Sequence, residues 1–154
     1  MTLTLKIATY DHFPEILEMF ERFHGSSNYK NCEFDQSKMS DVVINAIEDK
    51  SSQCLVVLVD ESNSAKGVLF GSISEQIFNR ERTAFEIVWW VNPEYRNTRA
   101  SIRLFKAFEY WAKKTNCTNI VTGAAEETKE TAGVKRFYAK HGYSPVECNF
   151  IKRI

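Results

Sequence analysis

Residues 85–112 change from a strand pattern to a helix pattern within a few positions. Phe85–Val91 is β-branched and aromatic, which predicts a buried strand. Pro93 ends this strand because proline has no N–H to donate to a sheet ladder. From about Thr98 onward, small and apolar residues recur at helical spacing. The residues on this helical face are Ser101, Leu104, Phe105, Phe108, Trp111 and Ala112.

The turn between this strand and helix is polar and contains two arginines, Arg96 and Arg99. The start of a helix presents backbone N–H groups without intrahelical partners, and the helix dipole places partial positive charge there. Two guanidinium groups add full charges. The turn therefore predicts an anion site, and a pyrophosphate is the ligand that suits it best. The alternative is that the two arginines form a solvated surface pair.

The residues around this turn resemble the main motif of the GNAT superfamily of acyl-CoA-dependent N-acyltransferases. In that motif a strand ends in Val-x-Pro, and Arg/Gln-x-x-Gly-x-Gly/Ala opens the next helix. This chain has Val91-Asn92-Pro93 followed by Arg96–Ser101, with Arg99 and Ser101 in place of the two glycines. Residues 136–143 resemble the family's Tyr-x-Lys-x-Gly-Phe/Tyr ending. The Arg/Ser form of the loop resembles small family members from bacteriophages.

The resemblance implies acetyl-CoA as co-substrate and no metal. Its pyrophosphate would bind the turn, where Arg99 either crowds the phosphates or contacts them directly. Its pantetheine arm would pair with the end of the Phe85–Val91 strand, which splays away from a strand beginning near Asn119. Thr131 stands where the family often has an Asn. The residues assigned to cofactor binding are Trp89, Trp90, Val91, Arg96, Asn97, Thr98, Arg99, Ala100, Ser101 and Thr131.

Two residues are candidates for the chemistry of acyl transfer to an amine, which needs a base and a proton donor for the leaving thiolate. Glu86 lies in an apolar strand, where an unpaired carboxylate is costly, and the resemblance gives it the role of base. The alternative is that Glu86 faces solvent or pairs with Arg82. Tyr138 falls on the family's tyrosine position and is the candidate acid; the alternative is a core tyrosine with a satisfied hydroxyl. The resemblance also implies that a backbone N–H near Val91 holds the oxyanion.

The remaining patterns predict one domain over residues 1–154. Helices are predicted at 11–25, 36–50, 98–116 and 131–141, and strands at 3–9, 54–59, 67–77, 85–91, 119–122 and 143–151. The order β-α-α-β-β-β-α-β-α-β predicts an α/β (α+β) fold. Its sheet is mixed and mostly antiparallel, with about six strands and helices on both faces, as the resemblance also implies.

Composition narrows the class of protein. Apolar residues make up 44% and charged residues 26%, as in ordinary soluble domains. The net charge of zero disfavours a nucleic-acid partner. The sequence has no apolar run of membrane-spanning length and no signal-peptide pattern. The four scattered cysteines predict free thiols in the cytoplasm, and the scattered histidines argue against a metal site.

The acceptor remains open, as a small-molecule or peptide amine. Tyr29 and Phe34 lie in a loop that often lines the acceptor groove in the family, so they are candidate substrate residues, with core packing as the alternative. A homodimer is common in the family. Other interpretations remain beside the N-acetyltransferase. One is a catalytically degenerate member that acts as a CoA-binding or protein-interaction module. Another is an acyltransferase for nucleic acids, and the last is a protein without a ligand.

Overall fold

The computed structural model describes residues 2–96, 99–124 and 129–154, and the backbone alone for 129 and 130. The chain divides into two compact units, Met1–Thr122 and Gly123–Ile154. The strands of the first unit are β1 (Thr4–Ile7), β2 (Gln53–Val59), β3 (Ala65–Glu75), β4 (Arg82–Val91) and β5 (Asn119–Val121). Its helices are α1 (Phe13–Ser26), α2 (Gln36–Glu48) and α3 (Ala100–Lys114). The second unit contains α4 (Lys129–Lys140).

The first unit is built on one five-stranded sheet in the order β1-β2-β3-β4-β5. β1 to β4 pair antiparallel with their neighbours, and β5 pairs parallel with β4. Strands β2 to β4 are neighbours because short turns join them, and α3 supplies the crossover that a parallel pair needs. The predicted mixed, mostly antiparallel sheet is confirmed.

The two faces of the sheet bury different helices. On one face α1 and α2 pack through residues such as Phe20 and Val43 against the inward side chains of β2 and β3. On the other face α3 lies so close to β3 that a Cβ built on Gly67 would sit 3.3 Å from Leu104. Helices therefore cover both faces, as the sequence predicted.

Gly71 allows the closest approach between the sheet and α3. A Cβ at this position would lie 2.5 Å from Cε2 of Phe108 and 2.8 Å from the carbonyl oxygen of Phe85. Real Cβ atoms do not come this close, so β3, β4 and α3 can meet here because residue 71 has no side chain.

The turn between β2 and β3 is closed by the carboxylate of Asp60. It accepts hydrogen bonds from the Ser62 hydroxyl at 2.7 Å and from the backbone N–H groups of Ser62 and Ser64 at 2.9 and 3.0 Å. Lys66 Nζ lies 3.2 Å from its other oxygen. These contacts, the Ser62 hydroxyl foremost, lower the pKa of Asp60 to about 2.

The second unit confirms the predicted end of the last helix. Gly142 has φ +85°, the left-handed conformation that glycine adopts without strain. The N–H of Tyr143 donates to the carbonyl of Tyr138, and that of Gly142 donates to the carbonyl of Ala139. This pair of bonds is the Schellman motif, which satisfies carbonyl groups at a helix C-terminus.

The predicted last strand, 143–151, is wrong. Residues 143–154 contain neither helix nor strand, and Val146 and Phe150 are 82% and 94% exposed. An alternating pattern becomes a strand only when another strand accepts its hydrogen bonds, and within its own unit the described residues offer only a helix. Pro145 also removes one donor. The described sheet accordingly has five strands, one fewer than predicted.

We expect Gly71→Ala to lower the free energy of unfolding by about 1–3 kcal/mol, the usual cost of overpacking a close contact. Gly25→Ala is the control, because Gly25 lies in α1 and a Cβ added there would meet nothing within 4 Å. Alanine is favoured over glycine inside helices, so this control should be neutral or stabilising by up to about 1 kcal/mol. Chemical denaturation measures both. Equal stabilities of Gly71→Ala and the wild type would contradict the packing described here.

We expect acid to weaken the fold partly through Asp60. Its folded pKa of about 2 lies below the ordinary 3.8, so its stabilisation is complete above 3.8 and is lost as pH falls through about 2. Asp60→Asn should therefore be less stable near neutral pH and should lose less stability than the wild type between these two pH values. Urea denaturation at a series of pH values measures this. Parallel pH profiles for the two proteins would rule out the contribution of Asp60.

Candidate active site

The candidate site begins where β4 loses one of its two neighbours. β4 pairs with β3 as far as Val91, opposite Gly67. Its parallel ladder with β5 covers Thr83 to Phe85 and ends at Val121. Residues 86–91 therefore extend beyond the last described β5 partner. The resemblance implied that the two strands diverge beyond this point, and that implication stays a prediction.

A β-bulge lies in β4 at the same level. Phe70 pairs with Val88 and Gly71 pairs with Glu86, so Ile87 is the extra residue and is 44% exposed. A bulge bends its strand and changes the direction of nearby side chains. The bulge and the end of the β5 ladder thus both fall beside Glu86.

Glu86 is half-buried, and its carboxylate has a side-chain partner. Thr122 Oγ1 donates to Glu86 Oε2 over 2.8 Å. Thr122 follows β5 directly and stands one position beyond the Val121–Phe85 pair. Arg82, the partner that the sequence allowed, has its Nε buried without a hydrogen-bond partner.

The turn after β4 brings Arg96 back onto the strand. Arg96 Nε donates to the carbonyl oxygen of Val91 over 2.8 Å, and its guanidinium carbon lies 4.3 Å from the centroid of the Trp90 ring. The Trp90 indole N–H donates to Asn92 Oδ1 over 3.1 Å. Arg96 therefore holds the end of β4, in addition to any contact that it makes with an anion.

The start of α3 carries the second arginine. Arg99 is the N-cap residue and is exposed, Ala100 is buried, and Ser101 is half-buried. The first turn of α3 has no acidic residue to neutralise the positive helix end. Asn97 and Thr98 lie outside the described residues.

Trp89 and Trp90 point to opposite faces of β4, as strand geometry requires. The Trp89 ring lies 4.9 Å from that of Phe105 on α3. Trp90 packs against the core that α1 and α2 cover. Both side chains are half-buried, so they brace the strand from its two sides.

Of the two candidate substrate residues, one is exposed and one packs inward. Tyr29 is 60% exposed. Phe34 packs against the core cluster, with its ring 5.5 Å from that of His24. The structure thus gives Phe34 the packing role that the sequence left as its alternative.

Tyr138 and Thr131 belong to the second unit, on α4. Tyr138 is buried, its hydroxyl donates to the carbonyl of Gly123 over 3.1 Å, and its ring lies 5.6 Å from that of Tyr143. The hydroxyl therefore has an acceptor, as a core tyrosine needs. Thr131 is half-buried near the start of the helix.

One described cleft lies in the first unit, and Asn92, the residue after Val91, is among its lining residues. It has a volume of about 180 Å³ and lies between α1, the β2–β3 turn and residues 92–94. Among its charged lining residues, Glu18 pairs with Arg22, Lys66 pairs with Asp60 of the β2–β3 turn, and Glu15 accepts hydrogen bonds from Ser64 and Ala65. We assign the candidate site to β4 on its geometry.

Comparison with known protein families identifies the family of this chain. The family model described as the acetyltransferase (GNAT) family matches residues 13–143. The chain belongs to the GNAT family of acetyltransferases. Its class is therefore that of an N-acetyltransferase. No curated protein sequence matches it.

Solved structures share the GNAT fold at low identity. An acetyltransferase of Trypanosoma brucei is 12% identical with a TM-score of 0.74, over 99% of this chain and 100% of that chain. The protein AAC(6')-Iy, in complex with a CoA-containing bisubstrate analogue, is 12% identical with a TM-score of 0.76, over 100% of this chain and 99% of that chain. Glucosamine-6-phosphate N-acetyltransferase of Arabidopsis thaliana is 11% identical with a TM-score of 0.75, over 99% of each chain. At such identities these likenesses establish the fold alone.

Two further properties of this GNAT chain concern metal ions and membranes. In the described ranges, no group of three or more His, Cys, Asp or Glu side chains is placed to hold a metal ion. No helix in those ranges is long and apolar enough to cross a membrane.

Two features of the candidate site were missed from the sequence. The bulge at Ile87 depends on the register between β3 and β4, which a single strand does not display. Thr122 could have been found, because a polar residue directly after a short parallel strand stands beside the next residue of its neighbour. Glu86 is that neighbour.

We expect Arg96→Ala to lower the free energy of unfolding by about 1–2 kcal/mol, because it removes a hydrogen bond to Val91 and a contact with the Trp90 ring. Arg99→Ala is the matched control, since it removes the same charge from an exposed position in the same turn. Its stability should stay within about 0.5 kcal/mol of the wild type. Equal losses in both variants would show that Arg96 does not anchor the strand.

Proposed function

We propose that this enzyme transfers an acetyl group from acetyl-CoA directly to a primary amine. The observation that carries the proposal is the position of Glu86 at the start of the β4 segment that extends beyond β5. That segment leads to the N-terminus of α3. One continuous path thus joins a candidate base to a candidate phosphate site.

The residues present fit the two ends of acetyl-CoA. The pyrophosphate needs N–H groups and positive charge, which the first turn of α3 and the exposed Arg99 supply. The pantetheine arm contains two amides, which match the backbone groups of an extended strand edge, as when a peptide adds to a sheet. In this assignment Arg99 contacts phosphate through its side chain. Arg96 contributes mainly by keeping the end of β4 in place.

The acceptor in this proposal is a small-molecule or peptide amine. An alkylamine with a pKa of about 10.4 is mostly protonated near neutral pH and must lose a proton before it attacks. Glu86 takes that proton, directly or through a water molecule. Two of the solved structures with this fold are named as an aminoglycoside antibiotic 6'-N-acetyltransferase and a glucosamine-6-phosphate N-acetyltransferase, which supports an amine acceptor of this kind. In this proposal Tyr29, which is exposed, contacts the acceptor.

Tyr138 is the proposed proton donor for the departing thiolate. In the structure its hydroxyl donates to the Gly123 carbonyl, so this hydrogen bond must break before the phenol gives its proton to the thiolate. We further propose a cytoplasmic enzyme, because all four cysteines are free thiols and disulfides are rare in that compartment.

The test is the release of CoA from acetyl-CoA in the presence of a panel of primary amines, including aminoglycosides and amino sugars. Tertiary-amine counterparts serve as negative controls. Glu86→Gln should lower the rate by about 100-fold or more, since general base catalysis contributes roughly 10²–10⁴-fold. Glu75→Gln, an exposed carboxylate on β3, is the matched control and should keep the wild-type rate.

Thermal unfolding with acetyl-CoA separates binding from chemistry. At a hundredfold excess over Kd, binding should add about 2.7 kcal/mol to the wild type and to Glu86→Gln alike. Stabilisation without release of CoA for any amine would favour the degenerate CoA-binding module. Wild-type rates in Glu86→Gln would remove Glu86 as the base.

A further inference from the structure

A side-chain hydrogen bond joins Thr122 and Glu86, the residues that directly follow the last β4–β5 pair. Thr122 Oγ1 lies 2.8 Å from Glu86 Oε2, and both residues are half-buried. In a parallel pair the residues after Phe85 and Val121 stand side by side. The bond therefore follows from the register of the two strands.

The other side of β4 fixes the backbone of the same residue. Glu86 pairs with Gly71 across the bulge, where the space for a side chain at position 71 is filled by Phe108 and the Phe85 carbonyl. The backbone of Glu86 is thus set by β3 and α3, and one carboxylate oxygen is held by Thr122. This hydrogen bond restricts the rotation of the carboxylate.

We propose that Thr122 is a positioning residue for Glu86: it holds the carboxylate ionised and oriented to take the proton of the acceptor amine. This inference rests on the proposed function. A hydroxyl that donates to a carboxylate favours the charged form, and the charged form is the one that can accept a proton.

The described strand residues beside Glu86 are uncharged. Within one ladder position of Glu86, the described residues of β3 (70–72), β4 (85–88) and β5 (120–122) include no other titratable side chain. Phe108, the α3 residue that packs at Gly71, is also uncharged. The nearest charged residue earlier on β4 is Arg82, whose side chain is half-buried.

The test compares Thr122→Val with Thr122→Ser. Valine keeps the shape of threonine and removes the donor, whereas serine keeps the donor. Thr122→Val should lower kcat/KM for the amine roughly tenfold, with little change in the KM for acetyl-CoA. It should also move the rising limb of the pH–rate profile upward by about half to one pH unit, because the carboxylate loses a stabilising donor. Thr122→Ser should restore both values.

A double-mutant cycle separates positioning from general damage to the fold. In a Glu86→Gln background, Thr122→Val should cost little more, since its effect passes through the carboxylate. Thr118→Val is the matched control: it removes a hydroxyl that contacts the Arg82 carbonyl at 3.4 Å, just before β5. It should leave the pH profile unchanged. A full tenfold loss from Thr122→Val in the Glu86→Gln background would overturn the proposal.

A second measurement does not depend on activity. Titration of the ¹³C-labelled Glu86 carboxyl by NMR should give a higher pKa in Thr122→Val than in the wild type and Thr122→Ser. Equal pKa values in all three would overturn the inference even in an active enzyme. If the wild type acetylates no amine but the pKa of Glu86 is still higher in Thr122→Val than in the wild type, the proposed function is refuted. The contact between the two side chains would then still be established. If Thr122→Val does not fold, Thr122→Ala serves in its place.

Discussion

The ladder between β4 and β5 ends at Phe85 and Val121, and the rest of the candidate site depends on that end point. Hydrogen bonding to β3 continues to Val91, so β4 stays paired on one side while its other neighbour stops. An extended segment with one partner strand can accept another extended group on its other side. The same end point puts Thr122 beside Glu86 and thereby couples the topology of the sheet to the chemistry of one carboxylate.

The phosphate end of the site illustrates how a family motif can be kept in outline while its residues change. The two glycines that would let backbone approach the pyrophosphate are replaced by Arg99 and Ser101. The two arginines of the turn differ in their contacts. Arg96 contacts Val91 and Trp90, whereas Arg99 is the N-cap residue at the positive end of α3; both arginines are exposed. In the proposed site, lost backbone contacts are thus offset by a side-chain charge at the helix start.

Much of the fold could be predicted from local pattern, because the elements concerned are specified locally. The apolar run of β2, the stripe of α1 and the change of period at Pro93 each describe one element and its buried side. The last strand, 143–151, failed for the opposite reason: its pattern needs a partner that the sequence does not name. Gly142 was predicted correctly, since a helix end with positive φ is a local requirement.

The candidate site was less predictable, because its geometry is made by residues far apart in sequence. Glu86 could be singled out as a carboxylate in an apolar strand, but its bond to Thr122 depends on the register of a parallel pair. The bulge at Ile87 depends on the register between β3 and β4. Arg96 was predicted to be a phosphate ligand, and its return to Val91 depends on the turn conformation after Pro93.

The measurement that tests this account most directly is amide hydrogen exchange along β4, with and without acetyl-CoA. If the segment beyond β5 receives the pantetheine arm, alternate amides in residues 86–91 should gain protection on binding, and those bonded to β3 should be protected in both states. Binding that protects residues around the cleft between α1 and the β2–β3 turn, and leaves 86–91 unchanged, would contradict it.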